Sequence, residues 1–345
     1  MSEANTNGGR LRHSSDSEPG YTRKKHGRYW QYFGENGDRL TDRETIERLN
    51  SISLPPAYVE AWFCKDENGH LQATGMDARG RKQYRYHASF RARRDKKKYS
   101  GTLEFGKALP KIRRRVAADL KKPALSREAV LAAVVRLLDT EYLRIGNEQY
   151  ARENKSFGAT TLRSRHVKRK GAKMIMRFTG KHGIVHEVPI TDRNLKRIVS
   201  KCDDLPGQNL FQYVGEDGEP CPITSADVNE FIREASGDDF TAKNFRTWGA
   251  SVIAFDLMLT AAEEERAGVS LKTVLEPVAE ALGNTVAISR KSYVHPKLIE
   301  AARDRPRNPL NGFERPRGRK WLSSEEVGLL QFLAKRRRHR DGATA

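Results

Sequence analysis

Four short blocks of this 345-residue chain gather side chains able to act on a phosphate. The first runs from Leu143-Arg144-Ile145-Gly146-Asn147-Glu148-Gln149-Tyr150 on to Asn154, Gly158, Thr161, Arg163 and His166. The second is Phe178-Thr179-Gly180-Lys181-His182-Gly183, reaching Glu187. The third is Lys243-Asn244-Phe245-Arg246-Thr247-Trp248-Gly249, and the fourth leads from Leu282-Gly283-Asn284-Thr285 to Ser292-Tyr293-Val294-His295-Pro296. The chain has no GxxxxGK[ST] loop for a nucleotide, no HExxH, and no dense carboxylate cluster of the two-metal type. Chemistry on phosphate is therefore expected without metal or nucleotide. The tools left are guanidinium, ammonium, amide, and a tyrosine or serine nucleophile. Taken singly these residues prove little. An isolated Arg144 reads as a surface ion pair, Lys181 as a solvated turn lysine, and Tyr293 as one of 11 tyrosines.

Composition favours a polyanionic partner. Lys and Arg total 64 against 44 Asp and Glu, a formal charge of +20. That excludes a strongly acidic protein and points to nucleic acid. Cys64, Cys202 and Cys221 lack CxxC spacing, so neither a disulfide framework nor a zinc site is expected. No apolar run is long enough to span a bilayer, and the N-terminus lacks the apolar core of a signal peptide. The expected setting is cytoplasmic and nucleoid-associated.

The elements that position the blocks follow from patterning. Residues 1–26 are polar and read as a disordered tail. Residues 27–95 read as a small β-rich domain: strands at Arg28–Phe33, Tyr58–Cys64, Leu71–Gly75 and Lys82–His87, with a helix over Thr41–Leu49. Between Arg79 and Lys122 basic residues far outnumber Asp95, Glu104 and Asp119, with Tyr84, Tyr86, Phe90 and Tyr99 interleaved. The stretch reads as a phosphate-tracking hinge, where aromatics pack on bases or sugars. Residues 96–304 read as a larger, mainly helical domain. Ser126 caps an amphipathic segment of Val130, Leu131, Val134, Leu137, Leu138, Tyr142 and Ile145, ended by Gly146. A β-hairpin is expected from Lys173–Phe178 and Ile184–Ile190 around 179–183. Helices are expected at 191–202, 225–235, 241–258, 271–282 and 296–304. Residues 305–345 read as a basic linker and tail with a helix near 323–335, closing on Arg336-Arg337-Arg338-His339-Arg340. The fold class is α+β.

Taken together and in order, the blocks resemble those of the type IB DNA topoisomerases, in the compact form of bacteria and poxviruses. Leu71–Gly75 and Asp77–His87 resemble that family's N-terminal DNA-binding domain, so the resemblance spans about residues 28–304. It implies a monomeric two-domain clamp on double-stranded DNA that nicks one strand, lets the duplex rotate and reseals, with no cofactor. It implies that Tyr293 attacks the phosphodiester to form a 3′-phosphotyrosyl link, which conserves bond energy so that resealing needs no ATP. Arg144 and Arg246 match the clamping arginines, whose guanidiniums suit the pentacoordinate transition state. Lys181 matches the acid that protonates the leaving 5′-oxygen, and Lys243 a lysine assisting proton transfer. Asn284 stands where viral and eukaryotic members carry His. An amide donates a hydrogen bond but carries no proton, so the position is expected to bond a non-bridging oxygen. Arg81, Gln83, Tyr84, Tyr86, Asn147 and Tyr150 match positions near DNA. His87, His166, His182, His186 and His295 fall outside the catalytic pattern and read as packing or surface residues.

Two rivals remain at this level. A site-specific tyrosine recombinase shares the chemistry but usually shows HxxR where this chain has Lys243-Asn244-Phe245-Arg246. A non-catalytic basic DNA-binding protein leaves the ordered Arg, Lys, Arg, Asn, Tyr set unexplained.

Overall fold

A computed structural model describes residues 10–171, 173–264, 269–303, 308 and 310–335, with backbone alone for Lys96 and Lys97. The chain divides between Lys98 and Tyr99 into two compact units.

The first unit is a five-stranded antiparallel sheet in the order β2-β1-β3-β4-β5. Its strands are β1 (Gly20–His26), β2 (Tyr29–Phe33), β3 (Val59–Cys64), β4 (Leu71–Met76) and β5 (Lys82–Tyr86), and α1 (Arg43–Ser51) lies between β2 and β3 in sequence. Asp42 starts α1 by accepting the Thr45 N–H at 2.9 Å, the usual way an N-cap satisfies a helix's first donors. Tyr32, Leu49, Leu54, Ala61, Phe63 and Ala73 form the core beneath the sheet.

Here the expected tail is corrected. Residues 1–9 lie outside the described residues, but 10–26 are structured. β1 pairs with β2 from Thr22↔Phe33 to His26↔Tyr29 and with β3 from Gly20↔Cys64 to Thr22↔Trp62. Ser14 is buried; its Oγ donates to Leu71 O at 3.0 Å and accepts the Leu71 N–H at 3.1 Å. This segment is held by main-chain ladders, one to the adjacent β2 and one to the distant β3, which hydropathy does not register.

The second unit is mainly helical. Its elements are α2 (Ala88–Asp119, which begins in the first unit), α3 (Arg127–Thr140), α4 (Glu148–Asn154), β6 (Val167–Lys170), β7 (Lys173–Thr179), β8 (Val185–Pro189), α5 (Arg193–Asp203), β9 (Gln212–Val214), β10 (Pro220–Pro222), α6 (Ser225–Ser236), α7 (Ala242–Glu263), α8 (Leu271–Leu282), α9 (Val286–Ser292), α10 (Pro296–Ala301) and α11 (Ser324–Ala334). α3 is buried on nearly every face from Ala129 to Leu138 and sits at the centre of one continuous core. Phe105, Leu109, Ile112 and Val116 of α2 and Phe245, Trp248, Phe255 and Met258 of α7 join that core.

Three expectations change. The basic hinge is the long helix α2, whose residues from Tyr99 on bury an apolar stripe at helical spacing beneath the charge. The segment after Ser126 ends at Thr140 rather than Gly146, because Tyr142 turns into the left-handed region at φ +50°. The stretch 305–345 is not simply a linker and tail: Leu322, Val327, Leu329 and Leu333 are buried in the main core. Arg336–Arg340 lie outside the described residues. The mixed α+β class, the β7–β8 hairpin and the α6, α7 and α8 helices stand as read.

Candidate active site

The site assembles from the ends of elements. Arg144 lies on the irregular stretch between α3 and α4, fixed by the turn at 158–161. Ala159 N–H donates to Arg144 O at 2.8 Å and Thr160 N–H to Ile145 O at 2.7 Å. Gly158 permits this approach, since a Cβ there would stand 2.5 Å from Arg144 O. The glycine and threonines of the first block are thus the mould for the arginine's backbone.

Arg246 projects from the first turns of α7, which Asn244 organises by accepting the Thr241 N–H at 2.9 Å. It is only 3% exposed. Its Nη2 donates to Leu282 O at 2.8 Å and its Nη1 to Tyr142 O. Asn284 follows Gly283, which ends α8 at φ +57°, and donates its own N–H back to Ala279 O at 2.8 Å. That turn brings Asn284 Oδ1 to the Arg144 Nη2, which donates to it.

Tyr293 lies just past α9, its N–H on Ser289 O at 3.0 Å. The segment is pinned on both sides: Tyr99 Oη donates to Lys291 O at 3.2 Å, and His295 N–H donates to Ser251 Oγ of α7 at 3.1 Å. Since Ser251 and Arg246 share α7, one helix sets both the cation and the nucleophile's loop. The Arg246 guanidinium carbon lies 4.9 Å from the Tyr293 ring centroid.

The electrostatics are those of an anion site. Among the described residues no ion pair involves Arg144 or Arg246; they donate to main-chain carbonyls and the Asn284 amide oxygen, and Arg246 also bonds the Tyr293 side chain. Burial and then Arg144 bring Arg246 down to about 10, so it stays charged at neutral pH. Burial pushes the Tyr293 phenol up, but Arg246, Arg144 and Lys243 outweigh it and leave it below its ordinary value of 10.0. The Arg246 Nε and the Asn284 Nδ2 are buried and without a hydrogen-bond partner. Buried donors that cost this much to leave unmet suit an oxyanion.

Lys181 stands exposed in the single 3-10 turn that closes β7–β8, next to His182 at φ +66°. No contact joins it directly to the arginines. The hairpin does reach them through His186, which takes the packing role expected of it. His186 pairs across from Phe178 and stacks on it at 5.1 Å. A Cβ on Gly283 would lie 2.8 Å from His186 Cε1. Burial first, then Arg144 and Arg246, lower its pKa, so the ring is neutral packing between hairpin and site. Glycines at 180 and 283 hint at the fit, but a sequence does not say which ring fills the space. Lys243 is exposed in the first turn of α7, near enough to act on Tyr293.

The remaining candidates are dispersed. Asn147 caps α4, its Oδ1 accepting the Tyr150 N–H at 2.8 Å. Tyr150 is half-buried in the first turns of α4. In the first unit Tyr84 (48% exposed) stacks on Tyr86 at 6.2 Å, and Tyr86 lies 5.4 Å from Phe90, an aromatic row. Arg81 Nε and Gln83 Nε2 both donate to Asp77 Oδ2, at 2.9 and 3.0 Å, and the Arg81 bond leads in holding that carboxyl at about 2. Among the described residues no group of three or more His, Cys, Asp or Glu is placed to hold a metal ion, and no helix is long and apolar enough to cross a membrane.

Comparison with known proteins bears on both units. Residues 87–309 match the family model for the catalytic core of eukaryotic DNA topoisomerase I, and residues 29–77 that for the N-terminal domain of bacterial DNA topoisomerase IB. The chain is 32% identical over 299 residues to DNA topoisomerase 1B of Acanthamoeba polyphaga mimivirus, covering 83% of this chain and 88% of that one. It is 22% identical over 277 residues to DNA topoisomerase 1B of vaccinia virus, covering 76% and 84%. A solved structure of the XerH site-specific recombinase on its DNA substrate aligns over 55% of this chain and 49% of that one, at 17% identity and a TM-score of 0.33. That likeness is too low to weigh for either fold.

Proposed function

Since the chain belongs to the type IB DNA topoisomerases, an isomerase family acting on DNA, we propose how its own residues divide the work. Arg144 and Arg246 grip the non-bridging oxygens of one phosphodiester, with the Arg246 Nε and the Asn284 Nδ2 supplying two further donors. The Tyr293 phenol loses its proton to water and its oxygen attacks phosphorus in line. The phosphorus–5′-oxygen bond breaks as the phosphorus–tyrosine bond forms. Lys181 gives its proton to the leaving oxygen, producing a 5′-hydroxyl, and Lys243 supports ionisation of the phenol. Resealing is the reverse, with the 5′-hydroxyl as nucleophile and Tyr293 as leaving group. No step needs a nucleotide or a metal.

The observation that carries this reading is a buried guanidinium, Arg246, beside a half-buried one, Arg144, that no carboxylate neutralises. Burying a charge without a counter-ion is costly. A phosphate passing through a more highly charged transition state repays that cost where catalysis requires it. Tyr84, Tyr86 and Phe90 support a DNA-facing role for the first unit. Asn147 and Arg81 hold local structure here, so their part toward DNA is secondary to capping α4 and bonding Asp77. The scheme asks for no residue from a second copy, so action as a monomer on duplex DNA, in the nucleoid, is part of the proposal.

Negatively supercoiled plasmid, incubated in EDTA without ATP, tests the scheme. Relaxation by the parent and none by Tyr293→Phe is expected. Relaxation that survives Tyr293→Phe would remove the nucleophile assigned here.

A further inference from the structure

Tyr142 belongs to none of the roles above, yet it touches the site twice. Its backbone is left-handed, at φ +50°, a conformation an aromatic residue rarely adopts. That turn aims its carbonyl at Arg246, whose Nη1 donates to it. Its ring lies against α7 one turn further on, over Gly249. A Cβ on Gly249 would stand 2.1 Å from Tyr142 Cε1, 2.5 Å from Cδ1 and 2.6 Å from Cζ. Residues three apart on a helix share a face, so carbonyl and ring meet α7 beside each other. Two residues on, the same stretch carries Arg144.

We propose that Tyr142 is the positioning residue of the phosphate clamp: its ring, seated on Gly249, holds a left-handed backbone whose carbonyl orients Arg246 and whose continuation orients Arg144. A carboxylate could hold Arg246 more tightly but would cancel the charge the phosphate needs. A carbonyl fixes direction and leaves the charge intact. Gly249 is then glycine for the seat it offers, not for its backbone, which is ordinary helix. The inference rests on the assignment of Arg246 to the phosphate.

The test follows SDS-trapped covalent nicking of supercoiled plasmid by excess protein, with plasmid affinity and thermal midpoint measured alongside. Gly249→Ala drives a methyl into the Tyr142 ring, and a misplacement of about 1 Å costs roughly 10²-fold in rate. That slowing is expected with plasmid affinity held within about twofold. Adding Tyr142→Gly removes the ring while keeping φ positive, and should recover at least about tenfold of the loss. A second pair needs no clash. Tyr142→Asn and Tyr142→Val both lose the ring, but Asn tolerates positive φ and Val does not, so Asn should nick about tenfold faster. Parental nicking by folded Gly249→Ala, or equal rates for Asn and Val, overturns the proposal; if Gly249→Ala does not fold, the Asn and Val pair decides. Arg246→Ala in the same assay keeps the two ideas apart. Parental nicking by Arg246→Ala sinks the phosphate assignment itself, whereas slow Arg246→Ala with unaffected Tyr142 and Gly249 variants sinks only the positioning role.

Discussion

The second unit draws two arginines inward, Arg113 half-buried and Arg246 buried, and treats them in opposite ways. Arg113 of α2 is answered by two carboxylates: Asp139 at 2.8 and 2.9 Å, and Glu326 of α11 at 2.7 Å on two donors. Trp248 of α7 adds its indole N–H to Glu326 at 3.0 Å. Burial alone would lower Arg113, but these partners raise it above its ordinary value. Arg246, two residues from Trp248 in the same helix, is met by two carbonyls and the Tyr293 side chain but no carboxylate, and sits lowered, at about 10. One arginine is a structural fastener whose charge is spent inside the protein. The other keeps its charge for a ligand. The contrast shows that burial does not mark a functional arginine; the identity of its acceptors does.

Substitution should separate the two. Arg246→Ala should cut the nicking rate by about 10²–10³-fold, as loss of one transition-state donor does, and leave the thermal midpoint unchanged or higher. Arg113→Ala strands Asp139 and Glu326 and should destabilise by about 3–5 kcal/mol, with nicking near parental well below the melting point. If Arg246→Ala melts the fold and Arg113→Ala does not, the distinction collapses.

A second substitution sharpens the role of Lys181. Its alanine variant should slow cleavage of a mapped site by about 10²–10⁴-fold, the usual worth of a general acid. Cleavage of the same site with a 5′-bridging sulfur, a leaving group that needs no proton, should be far less affected. Equal slowing of both substrates would take Lys181 out of the acid role.

The smallest effect concerns acid stability at the fastener. Burial pushes Glu326 up, but Arg113 and Trp248 outweigh it and leave it below its ordinary value of 4.5. A folded value under the unfolded one means stabilisation that is full above the unfolded value and lost as pH falls through the folded one. Urea midpoints of the parent should therefore drop as pH is taken from 6 to 3 by more than those of Glu326→Gln. Parallel curves would show that Glu326 is not held by Arg113.

How much of this was legible in the sequence depends on the range of the interactions. Arg144, Arg246, Asn284 and Tyr293 stood out through the order of blocks that resemble a known family's, each with local company: Gly146 and Gly158 around the first arginine, Gly283 before the asparagine, Thr241 and Thr285 ahead of α7 and α9. Turn and cap chemistry acts over a few residues and leaves a pattern. β1 did not show, because Gly20–His26 is polar and, beyond its hairpin with β2, pairs with β3 about 40 residues away along the chain. α2 was mistaken for a hinge because its charge masks the stripe at Phe105, Leu109, Ile112 and Val116. His186 with Gly283, Tyr142 with Gly249, and Arg113 with Glu326 are tertiary pairings about 97 to 213 positions apart. No spacing rule predicts them.

The central claim is that an un-neutralised cationic pocket of Arg144, Arg246 and Asn284 presents one phosphate to Tyr293. Mapping the trapped covalent adduct tests it most directly. Protein stopped on nicked plasmid in EDTA, digested with nuclease and protease and read by mass spectrometry, should carry its nucleotide remnant on the peptide containing Tyr293, through a 3′-phosphoryl bond. A remnant on any other residue, or a 5′-phosphoryl linkage, would contradict the account.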